Sequence, residues 1–157
     1  MSVKTDDGLK IRSVAFSHGG HIPPQYTCEG ENINPPLEVE NIPDGTKTLA
    51  LIVEDPDAPR GVFTHWIMWN ISPNDAITER SNPGISGTNS FGKTGYGGPC
   101  PPSGEHRYFF RVFALDDELD LIAGATKEEL LDTMKGHILA SAELMGVYQK
   151  HKHVVIG

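Results

Sequence analysis

"TLALIVEDPDAPRGVFTHWIMWNI" (48–71) decides the fold. Residues 48–54 form a continuous apolar run and read as a central strand. Residues 65–71 are apolar at both parities, the pattern of a strand covered on both faces. Between them stand Asp55, Asp57, Gly61 and the two prolines Pro56 and Pro59, which is turn chemistry. Two antiparallel neighbours joined by a stiff loop follow. Trp66, Ile67, Met68 and Trp69 are expected in the core. Asp55 closes the first strand and His65 opens the second, so both fall on one rim of the sheet.

A third strong strand is expected at 107–115, "RYFFRVFAL". Side chains alternate along a strand, so His106, Tyr108 and Phe110 share one face and Arg107, Phe109 and Arg111 the other. Weaker strand signals lie at 14–16, 37–40 and 153–156. Only 126–150 reads as helical. Thr126 and Glu129 form a capping box, and Leu130, Leu131, Met134, Ile138, Met145 and Tyr148 recur at helical spacing. Gly136 and Gly146 weaken the pattern, which fits either one helix or two shorter ones. Twelve prolines and 17 glycines punctuate short apolar runs, the pattern of an all-β sandwich or barrel. Segments 21–36 and 72–106 read as irregular. The glycine-rich half of the latter, 87–106, can aim bare backbone N–H groups at a ligand.

The 157 residues are the size of one domain, 1–157, and the net charge is -8. That charge repels DNA, RNA and anionic membranes, so no nucleic-acid partner is expected. No run of about 18 apolar residues is present, so no membrane span is expected either. The first residues contain no apolar signal region, which makes the cytoplasm the expected location. Two cysteines, Cys28 and Cys100, do not make a disulfide framework or a zinc motif. Two reduced thiols are the favoured reading. A single bridge is the alternative, because both lie in Gly/Pro-rich loops.

If 107–115 lies near 65–71, then Asp55, His65, His106 and Tyr108 converge on one pocket under a glycine-rich rim. An Asp–His pair with a second histidine suits anion binding or acid–base work on an ester or phosphoester. A two-histidine, one-carboxylate metal site is a rival, but no metal and no cofactor is assigned. No Gly-x-Ser-x-Gly nucleophile motif occurs.

"DPDAP…HWIMWNI" and "GYGGPCPPSGEHRYFFRVFALD" resemble the two signature regions of the phosphatidylethanolamine-binding protein family. "IPPQYTCEGENINPPLEVENIP" is similar to its bacterial and archaeal branch, often called Raf kinase inhibitor-like. The resemblance runs from about Phe16 to Val155. It implies a mainly-β, two-sheet antiparallel sandwich with one or two short helices near the C-terminus, and a small pocket for phosphate-like anions. On this chain the family's pocket acid falls on Asp55, its histidines on His65 and His106, and its tyrosine on Tyr108. Backbone at Gly98 and Pro99 would form the rim. Unlike in animal members, no C-terminal helix is expected beside the pocket, because the sequence runs only to Gly157.

The expected function is therefore a binding module for a small phosphate- or carboxylate-bearing ligand, regulatory or inhibitory in role, with Asp55 orienting and charging His65. A protease or kinase partner and a homodimer are compatible with the resemblance. A serine-protease inhibitor acting through a surface loop and an acid–base hydrolase using Asp55, His65 and His106 are the alternatives.

Overall fold

Every residue of Thr48–Asp55 is buried, and that sets the architecture. In the computed structural model, which describes residues 8–151, this strand (β3) is the centre of a five-stranded antiparallel sheet. It pairs with Phe63–Ile71 (β4) on one side and with His106–Leu115 (β6) on the other. Ile85–Ser86 (β5) borders β4, and Ile138–Tyr148 (β7) borders β6. A two-stranded sheet of Lys10–Arg12 (β1) and Glu38–Glu40 (β2) completes the mainly-β fold. A 3-10 turn, Pro24–Tyr26, and one α-helix, Lys127–Met134 (α1), are the helical pieces.

The main sheet is covered on both faces, which is why its central strands read as continuous apolar runs. Leu49, Leu51, Val53, Trp66, Met68, Tyr108, Phe110 and Val112 face the smaller sheet and the 16–26 loop. Ala50, Ile52, Ile67, Trp69 and Leu115 face α1 and the loop before it. Trp66, Ile67, Met68 and Trp69 are all essentially inaccessible, as expected.

Two expected elements differ. The helical reading of 126–150 holds only through Met134. The capping box forms as expected: Thr126 Oγ1 accepts from the Glu129 N–H, and Glu129 Oε1 accepts from the Thr126 N–H at 2.9 Å. Gly136 then adopts φ 81, a left-handed conformation that ends the helix, and 138–148 becomes the strand β7. Its pairing with β6 runs from Leu115↔Ile138 to His106↔Tyr148. The stretch satisfies two periods at once, since Ala140, Ala142, Leu144, Gly146 and Tyr148 also alternate; long-range pairing selects the second. Gly146 is a packing requirement here, because a Cβ would lie 2.6 Å from Ile22 and 2.7 Å from Phe16. The weak strand expected at 14–16 is irregular. Val14 is exposed, while Phe16 is buried against Phe110. The strand expected at 153–156 lies outside the described residues.

Candidate functional site

Three strand ends meet at one rim. Asp55 is the last residue of β3, and His106 and Tyr108 begin β6 on the core-facing side. His65 needs a further device. Strict alternation would put it on the opposite face from Trp66. However, Val53 pairs with Trp66 while Glu54 pairs with Thr64, so β4 carries one extra residue there, a β-bulge. The bulge turns His65 to the Asp55–Tyr108 face, the re-aiming that bulges provide beside functional sites.

The four residues line one cleft of about 160 Å³, with Ala58, Pro59, Phe63, Phe91, Cys100, Pro101 and Pro102 around them. The rings form a cage. His65 stands edge-on to Tyr108 at 5.2 Å between centroids and to Phe91 at 5.5 Å, and Phe63 lies 4.9 Å from His65. His106 stacks on Tyr108 at 6.5 Å.

Asp55 serves His106, and this corrects the expected pairing with His65. Its Oδ2 accepts from His106 Nδ1–H at 2.6 Å, and both side chains are almost wholly buried. Its Oδ1 accepts the Asp57 N–H at 2.7 Å, closing a small turn over Pro56. His65 instead donates Nδ1–H to the Gly97 carbonyl at 2.7 Å, and the Gly97 N–H donates back to the His65 carbonyl at 2.9 Å. Burial lowers the His65 pKa, outweighing the upward pull of the Gly97 carbonyl and of the Asp55 charge. This also reverses the expected direction. With Nδ1 occupied, each ring has only Nε2 left for the cleft, and the His106 Nε2 makes no hydrogen bond to the described residues. The Tyr108 hydroxyl is buried without a hydrogen-bond partner among the described residues. Burial, then the Asp55 and Asp57 charges, push its pKa up, so it remains a neutral hydroxyl.

Neither Gly98 nor Pro99 offers a free backbone N–H as a rim donor, although the Gly98 backbone bears on the His65 ring. The Gly98 N–H is spent on Asn32 Oδ1 at 2.8 Å, and the Pro99 carbonyl accepts the Cys28 N–H at 3.1 Å. Proline has no N–H to offer. Cys100, Pro101 and Pro102 form the rim instead. Cys28 and Cys100 are joined as a disulfide with Cα atoms 5.4 Å apart. The reduced-thiol reading is thereby corrected, and Cys100 has no free thiol. The two Gly/Pro-rich loops meet because Tyr96 donates to the Tyr26 carbonyl at 2.6 Å and Cys28 to Pro99.

The second acid of Asp-Pro-Asp was not assigned from the sequence. Asp57 takes Arg107 in a fork, Nε to Oδ2 at 2.9 Å and Nη2 to Oδ1 at 2.8 Å, and also accepts the Arg107 N–H. Arg107 hydrogen bonds hold the Asp57 carboxyl down, from 3.8 to about 2. Two acids one residue apart, facing a His-Arg pair, was the signal available. Phe91 had none, because it projects from a loop without periodicity. The folded-state pKa of Asp57 lies below its unfolded value. Its stabilisation is therefore full above about pH 4 and lost as pH falls through about 2. Asp57→Asn should accordingly be less stable than wild type near neutrality, with the gap closing on acidification; urea midpoints across that range would check it.

No group of three or more His, Cys, Asp or Glu able to hold a metal ion is found among the described residues. No helix among them is long and apolar enough to cross a membrane.

The sequence and the fold have counterparts among known proteins. Residues 12–149 match the family described as phosphatidylethanolamine-binding protein. A UPF0098 protein of Methanothermobacter thermautotrophicus is 48% identical over 150 residues, covering 90% of this chain and 99% of that protein. A crystal structure of a Chlamydia trachomatis protein described as a putative phosphatidylethanolamine-binding protein homolog matches with TM-score 0.90 and 44% identity, covering 93% of this chain and 100% of that one. E. coli YbcL, described as a member of the mammalian family, matches at TM-score 0.83 and 28% identity, covering 91% and 99%. The chain belongs to the phosphatidylethanolamine-binding protein family.

Proposed function

We propose that the chain binds a small phosphate- or carboxylate-bearing ligand, with the anionic group held by His65, His106 and Tyr108, and that occupancy serves a regulatory or inhibitory role. The Tyr108 hydroxyl carries this reading. The residue is 1% exposed and lines the cleft, and its hydroxyl meets no partner among the described residues. Leaving such a group unpaired costs roughly 1–3 kcal/mol, which a ligand oxygen would recover. The His106 ring stacks on Tyr108 and the His65 ring stands edge-on to it. At about 160 Å³ the cleft falls below the roughly 300 Å³ at which drug-sized pockets begin, so it suits a headgroup and not the body of a lipid. Regulation would act on a protein partner such as a protease or kinase, or within a homodimer. We place this activity in the cytoplasm, which cell fractionation checks.

Among the described residues no Lys or Arg lines the cleft, so their local positive charge must come from imidazolium. Sulfate keeps its charge near neutrality and is the clean probe. Its affinity should fall as pH rises from about 5.5 to about 8.5, with His65 contributing only toward the acid end because burial lowers its pKa. His106→Gln keeps a donor without a charge and should flatten the curve. A wild-type curve already flat with pH would remove the histidines as the source of charge.

A further inference from the structure

We propose that His106 is a phosphoryl acceptor, whose Nε2 takes a phosphoryl group from a reactive small donor of the acyl phosphate or phosphoramidate class. The inference rests on the anion-site reading above, since the donor's phosphoryl oxygens must first be held by His65 and Tyr108.

The tautomer comes first. His106 donates Nδ1–H to Asp55 at 2.6 Å, so the neutral ring carries its lone pair on Nε2. That atom has no partner among the described residues, and the residue lines the cleft. This is the arrangement of an activated nucleophile: one ring nitrogen fixed by a carboxylate, the other free toward the reacting atom. The carboxylate is itself fixed, because Asp55 Oδ1 is held by the Asp57 N–H.

Among the described residues competing nucleophiles are lacking: no Ser, Thr or Lys of theirs lines the cleft, and Cys100 is locked in the disulfide. Tyr108 is kept neutral by burial and neighbouring acids. His65 also lines the cleft, but its Nδ1–H goes to the uncharged Gly97 carbonyl. A phosphorylated His65 would carry a buried ring charge with no carboxylate on it. On His106 the same charge would face Asp55. The apolar walls, Phe63, Phe91, Pro101 and Pro102, would keep water from the new bond.

The step balances without any added oxidant or reductant. With phosphoramidate, the Nε2 lone pair forms the N–P bond while the donor's own P–N bond breaks. The leaving group departs as ammonia with the protons it already carried. The product ring is positive, keeps Nδ1–H on Asp55 and bears a dianionic phosphoryl group. The total charge is unchanged.

Phosphoramidate is incubated with the full chain, and sulfate binding is measured on the same preparations. We expect one phosphoryl group per chain, lost in acid and retained in alkali, mapped by peptide sequencing to His106. It should be absent from His106→Gln. In Asp55→Asn labelling should slow by up to about 10⁴-fold, as when an imidazole loses the carboxylate that sets its tautomer. Sulfate binding without labelling overturns this proposal and leaves the anion site standing. Absence of both overturns the two together. A label mapped to His65, to Tyr108 or to a surface histidine such as His18, or one that persists in His106→Gln, also overturns it.

Discussion

Trp69→Ala should lower the unfolding free energy by about 3–5 kcal/mol, the range for deleting a large buried aromatic. Trp69 has no accessible surface and belongs to the cluster of Ile52, Ile67, Leu115, Leu130 and Met134 that fastens α1 to the sheet. Its Nε1–H also donates to the Leu121 carbonyl at 3.1 Å, and the truncation would leave that acceptor unpaired. Trp69→Phe keeps most of the volume and should lose less. Urea unfolding should show the loss as a lower midpoint at unchanged slope. A midpoint that barely moves would mean that the sheet face under α1 is not a closed core.

The second large effect is expected at the disulfide. Cys28 and Cys100 are 72 residues apart, and in the chain-entropy account a cross-link over a span of that order stabilises by about 4 kcal/mol. The double substitution Cys28→Ala/Cys100→Ala should lose a comparable amount, and wild type under strong reductant should match it. If the oxidised and reduced chains unfold at the same denaturant concentration, the loops are held by their hydrogen bonds alone and the bridge contributes no net constraint.

Much of this was readable from residues 48–71. Two apolar runs and a Pro-Asp turn fixed the central pair of strands, and the rim location of Asp55 and His65 followed. The alternation of His106 and Tyr108 was equally plain. Pairing between side chains was not. Which histidine Asp55 meets depends on a bulge that shifts β4 by one residue against β3, and no residue type at 64–66 announces it. A second shift, between Leu49 and Leu51, coincides with Asn70 at φ 53. There an asparagine was at least the residue type that tolerates such a conformation. The 138–148 strand was hidden for another reason. Its apolar residues satisfy both helical and strand spacing, and only the length of β6 beside it decides. The disulfide was legible as an alternative and no more, because loop composition does not fix a distance.

The bridge also changes the molecule as an object. It turns residues 28–100 into a closed circle of backbone with two tails. Asp55 and His65 ride on the circle, while His106 and Tyr108 ride on the C-terminal tail. Pro59 to Val62, beside the cleft, are exposed on the circle. A single proteolytic nick there would open the circle without releasing a fragment. Both halves of the site would stay tethered, and the damaged chain would keep its full mass until a reductant separated the pieces.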